Sequence, residues 1–192
     1  MKTQSELLNK IYKELCLFKS DINEHLPTLY EYSKQSESIV ELGVRTVVST
    51  FSFLTGQPKS LTCVDIINPN AHPNSLLPQA ERIAKELNIH FKFIKSKSCD
   101  FKFESVDFLF IDTHHDYRLL KEELSVHGNN VNKFIAFHDT TLFEYKNEGN
   151  VYPDDEKKGL WPAIEEFLDE NKNWKIRNRY YNNNGLTILE RV

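Results

Sequence analysis

The sequence predicts a single α/β domain: a mostly parallel, seven-stranded sheet with helices on both faces and a C-terminal antiparallel hairpin. Three observations carry this. Short runs rich in β-branched and aromatic residues alternate with helical patterns, as in βαβ units with right-handed crossovers. Val106-Asp107-Phe108-Leu109-Phe110-Ile111 is nearly continuously apolar, as a strand covered on both faces requires. The last two strand-like runs flank Asn182-Asn183-Asn184-Gly185, residues that tolerate positive φ and suit a hairpin turn.

Thr3 and Glu6 are spaced as a capping box, and Leu7, Leu8, Ile11, Leu15 and Phe18 then recur at helical spacing to about residue 19. A second helix is expected over 26–33, where Pro27 reads either as a helix-start residue or as a turn. From residue 38 the period changes. Ile39-Val40-Glu41-Leu42 reads as the first strand, Gly43 as its turn, and 46–54 as a helix stopped by Gly56 and Pro58. The second strand covers 60–66, and a loop with Pro69, Pro73 and several Asn follows. Leu77, Ala80, Ile83, Ala84 and Leu87 mark one face of a helix over 76–87. Strands at 91–94 and 106–111 come next, then a helix over 118–126 ending near Gly128, a residue suited to a C-terminal cap. The fifth strand spans 134–137, a last helix runs from 159 to about 168, and 174–180 and 186–189 form the hairpin.

At 192 residues the chain makes one domain, residues 37–192, preceded by a helical segment over 1–36 that either covers the site or forms a homodimer contact. A hydrophobic content of 40% fills a core at this length without disulfide staples. Apolar runs fall far short of the roughly 20 residues a membrane-spanning helix needs. The N-terminus lacks the pattern of a secretory signal, so the expectation is a cytoplasmic protein. Three cysteines with no CxxC spacing read as reduced thiols rather than a zinc site. A net charge of -4 gives no electrostatic reason for nonspecific nucleic-acid binding. Lys92, Lys95, Lys97 and Lys102 alternate with aromatic and aliphatic residues and read as the wet faces of a strand and loop.

Ligands of an open parallel sheet bind outside the carboxyl ends of its strands. Here those positions are polar: Glu41 and Gly43 close the first strand, Asp65 the second, Ser98, Cys99 and Asp100 follow the third, Asp112, His114, His115 and Asp116 the fourth, and His138 and Asp139 the fifth. One acidic strand end is commonly a helix cap or a solvated charge. Five strand ends with carboxylates or imidazoles on one edge mark a candidate site.

These residues resemble a family. Ile39-Val40-Glu41-Leu42-Gly43-Val44-Arg45-Thr46-Val47-Val48-Ser49-Thr50 resembles the first motif of class I S-adenosylmethionine-dependent methyltransferases, in the small-molecule O-methyltransferase branch that includes cephalosporin hydroxylase-like and caffeoyl-CoA-type enzymes. Phe110-Ile111-Asp112-Thr113-His114-His115-Asp116-Tyr117 resembles that branch's fourth-strand pattern, F-I-D-G-x-H-x-Y, and Phe137-His138-Asp139-Thr140 its fifth, ending in H-D-T. Asn183-Asn184-Gly185-Leu186-Thr187-Ile188-Leu189 is similar to its final strand. The likeness runs from about residue 38 to the end. Val47 and Thr113 stand where the family usually has glycine.

The resemblance implies a Rossmann-like fold and transfer of a methyl group from S-adenosylmethionine to a hydroxyl of a small molecule, such as a sugar or secondary metabolite. It places Glu41 and Gly43 beside the methionine part of the cofactor, Asp65 on the ribose hydroxyls, Ser98 and Cys99 at the adenine border, and Asp112 within the cofactor site. A carboxylate with two oxygens suits a ribose diol. Asp112, His138 and Asp139 match the positions that bind a divalent cation, Mg²⁺ by the carboxylates' preference or Mn²⁺ by the imidazole's. Asp112 and His115 would serve catalysis, His115 as general base or substrate ligand; a solvated or supporting histidine is the alternative.

Two other readings stay open. Asp112, His114, His115, His138 and Asp139 suit a metal-dependent hydrolase, and Val47 suits a non-catalytic module with a degenerate cofactor pocket. A nicotinamide dehydrogenase is disfavoured, because Gly43-x-Arg45-x-x-Val48 lacks two glycines of the dinucleotide fingerprint. The loop over 147–159 is long enough for a lid or a substrate-binding element and equally suits a solvated insertion. Tyr117 is expected to pack the helix that follows.

Overall fold

Seven strands form one sheet in the computed structural model, which describes residues 4–150 and 152–192. In chain order they are Ser38–Leu42 (β1), Ser60–Asp65 (β2), His90–Lys95 (β3), Val106–Ile111 (β4), Val131–His138 (β5), Trp174–Tyr180 (β6) and Leu186–Arg191 (β7). The helices are Gln4–Leu17 (α1), Leu26–Ser33 (α2), Thr50–Gly56 (α3), Leu77–Glu86 (α4), Tyr117–His127 (α5) and Trp161–Glu170 (α6). The sheet order is β3-β2-β1-β4-β5-β7-β6, parallel from β3 to β5, with β7 antiparallel to both β5 and β6. This is the Rossmann-like class I methyltransferase fold, with the C-terminal hairpin that the Asn/Gly turn predicts.

Alternation along the central strands sorts the core into two layers. Ile39, Phe108 and Phe110 cluster with Leu8, Leu29, Phe53 and Ile83 of α1 to α4. Val40, Leu42, Leu109 and Ile111 cluster with Leu120 and Leu124 of α5 and Ile164 and Phe167 of α6. Both faces of β4 are therefore covered, which accounts for its unbroken apolar run. Chain order reverses between β1 and β4, and at such a switch point the loops leaving the two strands diverge and open a crevice.

Several boundaries differ from the sequence expectation for physical reasons. The helix after β1 begins at Thr50 rather than at 46, because Arg45 (φ 47°) and Val47 (φ 72°) take left-handed backbone and the Val47 amide closes a turn on the Val44 carbonyl at 2.8 Å. Gly128 does cap α5, its amide bonding to the Leu124 carbonyl, but with right-handed backbone (φ -54°) rather than the left-handed form that favours glycine. Its requirement is packing: a Cβ there would lie 2.5 Å from the Phe167 ring. Pro27 lies in the first turn of α2, the helix-start role. Thr3, one half of the expected capping box, lies outside the described residues.

Gly128→Ala should therefore force α5 and α6 apart and lower stability by about 1–3 kcal/mol. Urea unfolding measures this, and an unchanged midpoint would show that the contact relaxes without cost.

Candidate functional site

The ends of β1 and β4 are pinned together. The Asp112 amide donates to the Leu42 carbonyl at 2.8 Å and the Gly43 amide to the Val64 carbonyl at 2.9 Å. Gly43 has φ 84°, and a Cβ there would stand 2.0 Å from the Asp112 carbonyl oxygen. Only glycine allows this approach.

The loop over 43–49 is then held from β2. Asp65 Oδ2 accepts hydrogen bonds from the amides of Val44 (2.8 Å) and Arg45 (3.0 Å), and Oδ1 from that of Ile67 (2.9 Å). Three of a carboxylate's roughly four acceptor positions are thus filled by main chain. Val47, in place of a glycine, keeps the left-handed backbone at a strain of roughly 1–2 kcal/mol for such a residue. Its side chain is fully buried in the helical layer beside α3, so it fills core rather than cleft.

Glu41 lies beneath this loop, fully buried. Ser49 Oγ, Thr50 Oγ1 (2.6 Å) and Cys63 Sγ (3.1 Å) donate to its carboxylate. Burial pushes its pKa up to about 7 against the pull of those donors. Ser98 and Cys99 sit against α5, where the Ser98 carbonyl accepts from His127 Nε2 at 2.9 Å. Neither Glu41, Asp65, Ser98 nor Cys99 lines the cleft described next.

That cleft, of about 300 Å³, opens between the 43–49 loop and Asp112, His115, Asp139 and Glu148, with Asp21 and Ile22 on its N-terminal side. Arg45 donates to both carboxylate oxygens of Asp21, at 2.8 and 3.0 Å, across its mouth.

Four side chains converge here, Asp112, His115 and Asp139 at the floor and His138 buried behind them. His138 Nε2 lies 3.0 Å from the Asp21 carbonyl and 3.3 Å from that of Asn183, so this nitrogen carries the proton. Its Nδ1 faces Asp112 Oδ1 at 3.3 Å and Asp139 Oδ2 at 3.4 Å. His115 repeats the arrangement: Nδ1 meets Glu148 Oε2 at 2.8 Å, and Nε2 faces Asp139 Oδ2 at 3.0 Å and Asp112 Oδ1 at 3.4 Å. Phe143 stacks on the His115 ring at 4.7 Å and 5°.

Charges are strongly coupled here. Burial alone would lower the His115 and His138 pKa values, but hydrogen bonds and charge from Asp112 and Asp139 outweigh it and raise both to about 10. Burial likewise opposes ionisation of Asp112, yet the two imidazoles bring it down to about 2, and Asp139 is held well below the carboxylate range.

A cation fits this donor set. Asp112, His138 and Asp139 each offer a ligand atom within 4.8 Å of the others. Asp139 Oδ1 is buried without a hydrogen-bond partner, an oxygen that a cation would satisfy.

Of the other predicted residues, His114 is half-exposed and pairs with Glu148 (3.1 Å) and, more distantly, Asp116 (3.9 Å), not with the cluster. Asp116 caps α5 by accepting from the Leu119 amide. Tyr117 packs as expected, its hydroxyl donating to Glu166 of α6 at 2.8 Å. Thr113, at another position where glycine was expected, donates to Glu123, a fully buried carboxyl whose pKa burial raises to about 7. Sequence reasoning missed Asp21, Arg45, Glu123 and Glu148. Asp21 and Glu148 lie in segments with no periodic pattern, and Arg45 follows Gly43 without a motif role.

No protein-family model matches the sequence, and no curated protein sequence matches it. Solved structures do match. The O-methyltransferase of Bacillus cereus in complex with SAH superposes with TM-score 0.62 at 12% identity, covering 100% of this chain and 92% of that one. A Staphylococcus aureus protein assigned as a caffeoyl-CoA O-methyltransferase gives 0.64 at 12%, with 100% and 93% covered. TomG of Streptomyces achromogenes, an O-methyltransferase involved in tomaymycin synthesis and solved with SAM, gives 0.62 at 12%, with 100% and 91% covered. The chain has the fold of S-adenosylmethionine-dependent O-methyltransferases over its whole length. Among the described residues, no helix is long and apolar enough to cross a membrane.

The buried Glu41 gives a pH test. Its folded pKa of about 7 exceeds the ordinary 4.5, so the folded state binds an extra proton between those values. Its contribution is full below about pH 4.5 and falls away as pH rises to about 7, by about 3 kcal/mol in all. Glu41→Gln, which does not titrate, should gain on the parent by that order between pH 5 and 8 in urea unfolding. A difference constant over that range would place the Glu41 pKa outside it.

Proposed function

We propose that the protein transfers the methyl group of S-adenosylmethionine to a hydroxyl of a small molecule, with a divalent cation held by Asp112, His138 and Asp139. One observation carries the reading. At the switch point of a methyltransferase fold, the carboxylates of Asp112 and Asp139 line a cleft, and the His138 imidazole, its other nitrogen already committed, lies buried against them. A divalent cation there lowers the pKa of a bound hydroxyl and orients its oxygen.

The chain's residues then divide the work. The main chain of 43–49 borders the methionine part of the cofactor, and Glu41 supports it from below through Ser49 and Thr50. Asp65 fixes that loop through the Val44 and Arg45 amides and keeps about one acceptor position for a ribose hydroxyl. Asp112 serves both the cofactor and the cation side. Ser98 and Cys99 border the adenine from beyond the cleft. Once a cation neutralises Asp112 and Asp139 and displaces its proton, His115 Nε2 is the atom that either takes the acceptor's proton or donates its lone pair to the cation. The N-terminal segment to residue 36 covers the cleft through Asp21 and Ile22. Transfer forms the new oxygen–carbon bond as the sulfur–carbon bond breaks in line, so positioning supplies much of the acceleration.

A non-catalytic module is the second reading, favoured by the three main-chain bonds that occupy Asp65. Calorimetric titration with S-adenosylmethionine and S-adenosylhomocysteine, with and without Mg²⁺ or Mn²⁺, separates the two. Micromolar binding and transfer of labelled methyl to hydroxylated acceptors are expected. Asp65→Ala should weaken S-adenosylhomocysteine binding about tenfold or more, near 1.4 kcal/mol. Asp139→Ala should remove metal dependence and keep that binding. Metal binding without cofactor binding would sink methyl transfer and favour the non-catalytic module, or a hydrolase if metal-dependent ester cleavage is found.

A further inference from the structure

We infer that His115 is a fourth ligand to the cation, and that the resulting two-imidazole, two-carboxylate site selects transition-metal ions such as Mn²⁺, Co²⁺ or Zn²⁺ over Mg²⁺. The inference rests on the metal part of the proposed function and not on methyl transfer.

The geometry treats the two imidazoles alike. His115 Nε2 and His138 Nδ1 each face both Asp112 Oδ1 and Asp139 Oδ2, and the four N···O separations are 3.0, 3.4, 3.3 and 3.4 Å. Ligands bonded at about 2.1 Å stand about 3.0 Å apart across an octahedral edge and about 3.4 Å across a tetrahedral one. All four separations fall on that scale, so His115 Nε2 is as near the two shared oxygens as His138 Nδ1 is, and a small inward shift of its ring would add it to the group that Asp112, His138 and Asp139 form within 4.8 Å of one another.

Each ring is also oriented from behind by an acceptor. The carbonyls of Asp21 and Asn183 take the proton of His138 Nε2, and Glu148 takes that of His115 Nδ1 at 2.8 Å. Carboxylate–histidine–metal chains use this arrangement to fix the tautomer and turn the lone pair to the metal. His115 is further clamped by Phe143 and its side chain is only 13% exposed. A clamped ring with Nε2 between two carboxylates is placed to ligate the ion they share. Glu148 is then a positioning residue. Two imidazoles beside two carboxylates favour transition metals, whereas Mg²⁺ prefers oxygen alone.

The test uses the full chain freed of metal by chelator. Pulsed electron paramagnetic resonance of bound Mn²⁺ should count two coupled imidazole nitrogens in the parent and one in His115→Ala. Mn²⁺ affinity should fall at least about 100-fold in His115→Ala, and roughly 10- to 100-fold in Glu148→Ala with both nitrogens retained. Millimolar Mg²⁺ should not displace micromolar Mn²⁺. One coupled nitrogen in the parent, unchanged Mn²⁺ affinity in His115→Ala, or ready displacement by Mg²⁺ would overturn the inference. The parent count holds even where a variant fails to fold. S-adenosylhomocysteine binding, measured separately, decides the methyltransferase reading whichever way the nitrogen count falls.

Discussion

How closely the end of β1 can approach the end of β4 sets the rest of the site. With a side chain at residue 43, the Asp112 carbonyl would have to retreat from a 2.0 Å clash, and the bond from its amide to the Leu42 carbonyl would be lost with it. That bond holds Asp112 at a fixed height on the edge of the sheet. Register does the remainder. Ile111 pairs with Phe137, so the next residues out, Asp112 on one strand and His138 and Asp139 on the other, leave the sheet side by side. Asp112 thus shares one point with side chains 26 and more residues away because two parallel strands end together.

The same edge concentrates strain. Arg45, Val47 and Asp139 all take left-handed backbone without being glycine. Each is held by a contact that the core beneath can support. Asp65 fixes the Arg45 amide, the apolar layer buries the Val47 side chain, and the Asp139 carbonyl accepts from the Phe143 amide at 3.0 Å. A buried Glu41 adds a cost below the loop whenever it is ionised. Local conformations of this kind persist where the surrounding structure over-determines them, and they gather at functional edges.

This pattern also explains what the sequence makes legible. The strands read well because burial on both faces leaves unbroken apolar runs, as in β4, and because turn residues bracket β6 and β7. The strand-end residues Asp112, His138 and Asp139 read well because parallel topology sends every such residue to one edge. The start of α3 did not, since nothing in Thr46-Val47-Val48 signals that Asp65 will capture the preceding amides and bend the chain away from helix. Gly128 showed its identity but not its reason, which lies on α6, in the Phe167 ring. Asp21 and Glu148 were invisible. They reach the site from loops, His115 and Glu148 being 33 residues apart, and no local period encodes a contact of that range.

Glu148 changes how the segment after β5 should be understood. A solvated insertion would be tied down only by solvent-exposed ion pairs, each contributing about 0–1 kcal/mol. Instead the Glu148 amide donates to the His115 carbonyl at 2.7 Å, while its carboxylate accepts from His115 Nδ1. Asn147 Oδ1 accepts from the Gly159 amide at 2.7 Å and closes the segment on itself, and the Leu160 amide bonds to the Phe143 carbonyl at 2.8 Å. Both ends of the loop are therefore fixed, and Glu148 joins it to an imidazole at the floor of the cleft. Any movement that withdraws Glu148 removes the acceptor behind His115 Nδ1, so the order of the loop bears on how firmly a ring already clamped by Phe143 is oriented.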